Sequence, residues 1–340
     1  MRPIVTGGKV KLNMDKNWLP DRTTNAEGDS RCVGVEVELA GVTPHVMARL
    51  IESLYGGEII EQTRFEFEIK GTCYGDFKLE LDSSYMKALA AEEAKQQAEP
   101  GPIGAITVDL FARASELLVP WEIVSPPIPT TELHHLCELI DKLREQGALG
   151  TRHAPHFAFG VHLNPDLPDL ETTTIVNFLR AYFCLFDWIS TQEEVDLARK
   201  ITPYIDHFGK KYIKQVIDPN YNPSRQQLID NYLDLNPTRN RSLDMLPLFA
   251  HLDEARVRKV IDDPRIKPRP TFHYRLPNCD IDNPQWNLDH CWFAWLEVES
   301  LSNDPERLQL FCAEYNDVID RLIPQPTKKW CERTEQLLAR

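Results

Sequence analysis

The feature that most restricts the fold is a set of short segments in which every second residue is apolar. In 33–39, Val33, Val35, Val37 and Leu39 alternate with Gly34, Glu36 and Glu38. In 64–70, Phe65, Phe67 and Ile69 alternate with Arg64, Glu66, Glu68 and Lys70. In 77–82, Phe77, Leu79 and Leu81 oppose Lys78, Glu80 and Asp82. The pattern returns in 157–163 (Phe157, Phe159, Val161, Leu163 against Ala158, Gly160, His162) and in 271–276 (Phe272, Tyr274, Leu276 against Thr271, His273, Arg275). A period of two puts alternate side chains on opposite faces. Each segment therefore predicts a strand with one face for a core and one of acids, histidines and cations.

An antiparallel sheet with one face in water accounts for such alternation, and the pattern alone leaves that reading open. Three details favour a site. Glu36 and Glu38 place two like charges about 7 Å apart on one strand face, which is unfavourable unless water or a cation screens them. His162 shares its face with Ala158 and Gly160, residues small enough to leave room for a bound object. Glu122 sits in the otherwise apolar segment Leu118–Pro127, where a lone carboxylate needs a partner.

Between the strands the chain reads as helical. Thr43-Pro44 has the order of an N-cap followed by an N1 proline, Val46, Met47, Leu50, Ile51 and Leu54 form a stripe, and Gly56 is a stop. Residues 130–146 align Leu133, Leu136, Cys137, Ile140 and Leu143, and Asp304-Pro305 opens a third helix. Residues 1–30 read as a loosely packed leader and 31–325 as one catalytic domain with a helical insertion at 172–262. A C-terminal helix occupies 326–340. One strand arriving a hundred residues after its fellows argues for a single sheet completed late.

Composition excludes some classes. The 340 residues carry a formal net charge of −14, which argues against a general nucleic-acid binder because displacing phosphate counterions needs a basic face. It leaves anionic substrates open, since metal ions reverse the sign of a carboxylate-lined site locally. The start lacks the apolar run of a secretory signal. The most apolar stretch, Ile175–Ile189, is broken by Arg180 and Asp187, so no membrane span is expected. Eight cysteines without a CxxC pair fit reduced thiols, and the expected compartment is the cytoplasm.

Carboxylates with one or two imidazoles suit Mg²⁺ or Mn²⁺, and interleaved Arg and Lys suit phosphate oxygens. Together they are the parts of a phosphoryl-transfer site. No P-loop and no GxGxxG occurs, so phosphate has to be held by side chains and metals across the sheet.

The segments GVEVEL (34–39), FKLELDSSY (77–85), WEIVSPP (121–127), FGVHLN (159–164) and TFHYRLPN (271–278), in this order, resemble the amidoligase family of the glutamine synthetase/glutamate–cysteine ligase superfamily. The resemblance implies an α+β fold in which a curved, mainly antiparallel sheet holds ATP and two or more Mg²⁺ ions on its concave face. It also implies a reaction. ATP phosphorylates a substrate carboxylate, an amine attacks the acyl phosphate, and an amide or isopeptide bond forms on an amino acid, small molecule or peptide. Where the amine is ammonia, it comes from solution or from a partner amidotransferase.

By position in the motifs, Glu36, Glu38, Asp82, Glu122 and His162 are expected to hold metal, with Glu122 also catalytic. Arg275 is expected at the γ-phosphate or acyl phosphate. Lys78, Arg64 and Arg241 are further candidates for phosphate or substrate. One position departs from the family pattern: where Glu-x-Arg is usual, the chain reads His273-Tyr-Arg275. Histidine remains a ligand but removes a negative charge and softens the site towards Mn²⁺ or Zn²⁺. A guanidino-type phosphotransferase, and a nucleotide- and metal-binding module without turnover, are alternatives on the same residues. The Arg265/Lys267/Arg269 run between prolines reads as a solvated loop abutting the His273 strand, placed to close over nucleotide.

Overall fold

The computed structural model describes residues 18–63, 65–81, 120–152, 159–193, 207–319 and 328–339. Its organising strand is β1 (Cys32–Leu39), whose burial alternates residue by residue as the sequence predicts. On one edge β1 bonds antiparallel to β5 (Trp121–Val124) and β6 (Ile128–Pro129), and on the other to β7 (Val161–Pro165). Outward from β5 follow β4 (Gly75–Leu81), β3 (Glu66–Thr72) and β2 (Glu58–Thr63). Outward from β7 follow β9 (His273–Tyr274) and β8 (Leu243–Asp244). The described residues thus form one nine-stranded sheet, antiparallel at every ladder, in an α+β fold.

Helices cover the apolar face. α1 (Pro44–Tyr55) buries Met47, Ala48 and Ile51 against β2, β3 and β4. Thr43 makes no side-chain cap bond, so the helix start rests on the fixed φ of Pro44. Gly56, at φ 75°, ends it and donates to the Glu52 carbonyl. A 3₁₀ turn (Leu133–His135) leads into α2 (Leu136–Glu145), so the helix expected from 130 begins later, after i to i+3 bonds from Pro129 and Glu132. Leu136, Leu139 and Ile140 of α2 and Leu288 of α7 (Leu288–Ser302) surround the same small void as Val35, Val37, Phe77 and Ile123.

At the other end of the sheet, Phe178 of α3 (Thr172–Gln192) and Trp295 of α7 pack at tilted angles against Phe272, and Trp295 also meets Tyr274. Behind α3 lie α4 (Lys210–Ile217), α5 (Arg225–Leu235), α6 (Leu246–Arg258), α8 (Pro305–Ile319) and α9 (Lys328–Leu338). No helix among the described residues is long and apolar enough to cross a membrane.

Besides β5 (read from the sequence only through the segment that carries Glu122), three strands were not legible as alternation. In β2, Ile59 and Ile60 are adjacent and both half-buried, as an edge strand permits. β6 and β8 have two residues each. Conversely, the predicted strand 271–276 forms a ladder only at His273 and Tyr274, with a single bridge at Thr271. Pro270 and Pro277 flank it and lack the N–H that a ladder needs.

The start of β1 is clamped by a buried ion pair. Arg31 and Glu299 of α7 are each 1% exposed and bond through both guanidinium nitrogens, at 2.5 and 2.9 Å. Arg31 also donates to the carbonyls of Asp166 and Arg22, and the Asp166 carboxylate accepts the backbone N–H of Cys32. The pair thus ties β1, the end of β7 and the chain around residue 22 to α7. The described part of the N-terminal segment is tied down as well: Trp292 donates to the Trp18 carbonyl and Arg22 pairs with Asp169. Removing one partner leaves a buried charge uncompensated, so Glu299→Ala is expected to cost about 3–5 kcal/mol. Urea unfolding measures this, and the double variant Arg31→Met/Glu299→Leu should recover most of the loss.

Candidate active site

Register converts the alternation into rows that cross the sheet. One row runs Glu66, Glu80, Glu122, Glu38 across β3, β4, β5 and β1, each residue the direct partner of the next. The adjacent row runs Glu68, Lys78, Val124, Glu36, His162 and ends on β7. A third places Gly34 opposite Asn164. Because Leu163 faces Tyr274 and Asp166 faces Thr271, Asn164 falls beside His273, which faces Asp244.

Like charges directly opposite each other destabilise a sheet, and the first row sets four carboxylates side by side. In the second row Glu68 pairs with Lys78 at 3.6 Å, and Lys70, two residues along β3, pairs with it at 3.0 Å. The other end of that row is where the groups converge. Glu36 Oε2 lies 2.9 Å from His162 Nδ1, and Glu36 Oε1 accepts from Asn164 Nδ2 at 2.9 Å. The Arg269 guanidinium stands 3.9 Å from the same oxygen. Burial opposes ionisation of Glu36, but His273 and His162 when protonated, the hydrogen bond from His162 and the charge of Arg269 hold its carboxyl well below the usual carboxylate range.

Glu38 is anchored by one oxygen, which accepts the Gly160 backbone N–H at 2.6 Å, while the other faces His162 Nε2 at 3.7 Å. Glu122 Oε1 lies 3.9 Å from His162 Nδ1. An ionised carboxylate only accepts hydrogen bonds, so the His162 proton belongs on Nδ1, towards Glu36. In the neutral ring Nε2 then turns a lone pair towards Glu38. Burial pushes the His273 imidazole well below the usual histidine range; Glu36 opposes this, and Arg275, His162 and Arg269 reinforce it.

Two sets of ligand atoms result, Glu36/His162/His273 and Glu38/Glu122/His162, each lying within 4.8 Å of one another. His162 belongs to both. Opposite ligands of one Mg²⁺ ion stand about 4 Å apart, from bonds of about 2.0–2.1 Å. Each set is therefore near the span that one ion requires, and a neutral His162, with a single lone pair, can serve only one of them at a time; the donors, carboxylates with imidazole, suit Mg²⁺ or Mn²⁺.

Cations flank this face on the β9 side. Arg275 donates to the Arg239 carbonyl at 2.9 Å, and Arg269 donates to Asn164 Oδ1 at 2.7 Å. Around them sits Asp244, 1% exposed. Burial raises its carboxyl to about 6, against the Leu246 N–H and the charges of Arg275, Arg239 and Arg269.

Of the residues expected at the site, the structure brings together Glu36, Glu38, Glu122, His162 and His273, with Arg275 close enough to act on His273 and Asp244. Lys78 stands on the same face but one strand removed from β1, paired with Glu68. Arg241 is directed elsewhere: it donates to the His207 carbonyl at 2.7 Å and lies over Phe208, within the aromatic cluster of α3 and α4. Asp82 and Arg64 lie outside the described residues. Asn164 and Asp244 were missed as site residues, and Arg269 was singled out only as part of a loop beside the His273 strand. Asn164 stands within FGVHLN, two residues after His162, where strand parity alone could have placed it on the same face. Arg269 carried no such signal, because its segment has no period.

Two measurements test this electrostatics. Glu80→Gln removes a charge flanked by Glu66 and Glu122, and should stabilise the ligand-free protein by up to about 1 kcal/mol in chemical denaturation. Asp244, raised from 3.8 to about 6, binds its proton more readily when folded. Its contribution to stability is present below pH 3.8 and is lost as pH rises through about 6. Relative to Asp244→Asn, the wild type should therefore lose stability between about pH 4 and 6 and change no further above that, read from denaturation midpoints across pH.

No curated protein and no solved structure matches the chain. A family model described as "Putative amidoligase enzyme" matches residues 29–297, a span that contains β1 and every site residue from Glu36 to Arg275. The face built from β1, β5, β7 and β9 lies within the matched span, and the protein belongs to this amidoligase family.

Proposed function

We propose that this face carries out ATP-dependent formation of an amide or isopeptide bond, through an acyl phosphate, between a carboxylate and an amine of small-molecule or peptide substrates. The observation that carries the reading is the pair of ligand sets sharing His162, set beside the guanidinium groups of Arg269 and Arg275. A carboxylate is a poor electrophile, and exchanging its oxygen for phosphate supplies a leaving group. Bound Mg²⁺ or Mn²⁺ would neutralise the β- and γ-phosphates as charge develops.

The chain's own part is to bind and orient. Glu36, Glu38, Glu122, His162 and His273 are the residues that would hold the ions, on adjacent strands whose register fixes their spacing. Arg275 and Arg269 are pre-placed cations at the β9 edge, suited to the transferring phosphoryl group. Burial of His273 keeps its ring neutral, and therefore able to donate a lone pair rather than repel a cation.

The test is release of ADP or phosphate with a panel of amino acids, polyamines and peptides. Turnover should depend on divalent metal and fall by at least about a hundredfold in Glu36→Gln and Arg275→Ala, the scale set by loss of one transition-state contact. Absence of turnover across a broad panel, together with absence of nucleotide binding, would sink the reading. The His273-Tyr-Arg275 sequence favours one rival, a nucleotide- and metal-binding module without turnover. Nucleotide binding in the wild type with no product, and product only in His273→Glu, would establish that rival.

A further inference from the structure

Arg269 lies in a proline-bounded loop, outside every strand, yet it reaches the centre of the polar face. Its Nη2 donates to Asn164 Oδ1 at 2.7 Å. A guanidinium has no acceptor, so the Asn164 atom it meets is the carbonyl oxygen. On the opposite side of the same amide, Glu36 Oε1 at 2.9 Å requires the NH₂ group. The orientation of Asn164 is therefore determined twice, by a cation on one side and an anion on the other.

That orientation has a consequence for His273. Its Nδ1 stands 2.7 Å from the same Asn164 Oδ1 and 3.2 Å from Arg269 Nη2. If Nδ1 carried a lone pair, two acceptors would face each other at 2.7 Å. With a proton on Nδ1, the ring and the guanidinium occupy the two lone pairs of one carbonyl oxygen, and the 3.2 Å between them is the spacing of two donors sharing an acceptor.

We propose that Arg269 is a positioning residue: by orienting Asn164 it holds His273 as the Nδ1–H tautomer and leaves Nε2 as the nitrogen able to ligate. Ligating histidines are commonly held through their other ring nitrogen in this way, and loss of such support lowers metal affinity by about 10–100-fold. The inference deepens the reading of this face as a cation site and rests on it for its purpose, but the tautomer itself is a property of the ligand-free protein.

The experiment uses the full chain with ¹⁵N-labelled histidine and reads ring-nitrogen shifts by long-range ¹H–¹⁵N correlation, with His273 assigned from its absence in His273→Gln. In the wild type, Nδ1 should show the shift of a protonated nitrogen and Nε2 that of a bare one. Arg269→Met should give mixed or reversed tautomers, and Arg269→Lys, which still donates to Asn164, should restore the wild-type pattern. Mn²⁺ titration followed by electron paramagnetic resonance should show about tenfold weaker binding in Arg269→Met, regained in Arg269→Lys. A wild-type His273 protonated on Nε2, or an Arg269→Met variant with unchanged ring shifts, overturns the proposal. Should Arg269→Met not fold, the wild-type shifts and the Arg269→Lys comparison still decide it. Failure of the wild type to bind Mn²⁺ counts against the proposed function and leaves the tautomer to the ring nitrogens.

Discussion

The site depends on a constraint in β1: it cannot turn Glu36 and Glu38 away from each other without exposing Val33, Val35 and Val37. Those three valines are at most 5% exposed, and each buried side chain of this size contributes about 1.5–3 kcal/mol relative to exposure. A shift of one residue would invert both faces. Burial of the valines therefore forces the two carboxylates onto one side, at strand spacing. The clamp of Arg31 on Glu299 and Asp166 adds a second hold on the same register. Crowding of charge is the cost of a face the core already determines.

Neighbouring strands make that crowding sharper and then partly relieve it. β5 sets Glu122 directly against Glu38, and β4 and β3 extend the row to Glu80 and Glu66. β7 brings His162, and the loop before β9 brings Arg269, to the Glu36 end. The result is a row of carboxylates from β3 to β1 and a group of guanidiniums near β9. It also changes the meaning of a formal charge of −14: part of the excess lines a face where cations, either bound or supplied by arginine, can offset it. Under the proposed function, metal occupies the acidic part and phosphate lies towards the arginines.

Asn164 joins the two halves. Its amide connects Glu36 on one side with Arg269 and His273 on the other, so ionised and neutral groups in the site report to each other through one side chain. A buried network of this kind is rigid when every member is satisfied. The same amide gives the His273 Nδ1 proton a partner.

Much of the fold was legible in the sequence, because period-two alternation over at least five residues is a local property that burial of one face enforces. β1, β3 and β4 were readable for that reason, as was α1 from Pro44 and Gly56. The two-residue strands β6 and β8 and the broken pattern of β2 were not, since they exist only through their partners. The candidate ligands were readable as residue types on one face, and the family motifs put Glu122 among them. What the sequence by itself determined is which side chains face the core and which face away from it. Tertiary structure alone decided which polar residues meet: register pairs Glu38 with Glu122 and Glu36 with His162, and an aperiodic loop delivers Arg269 to Asn164. It also sent Arg241 to the Phe208 ring. Distances between strands depend on hydrogen-bond register and loop path, and neither is encoded in the period of a single segment.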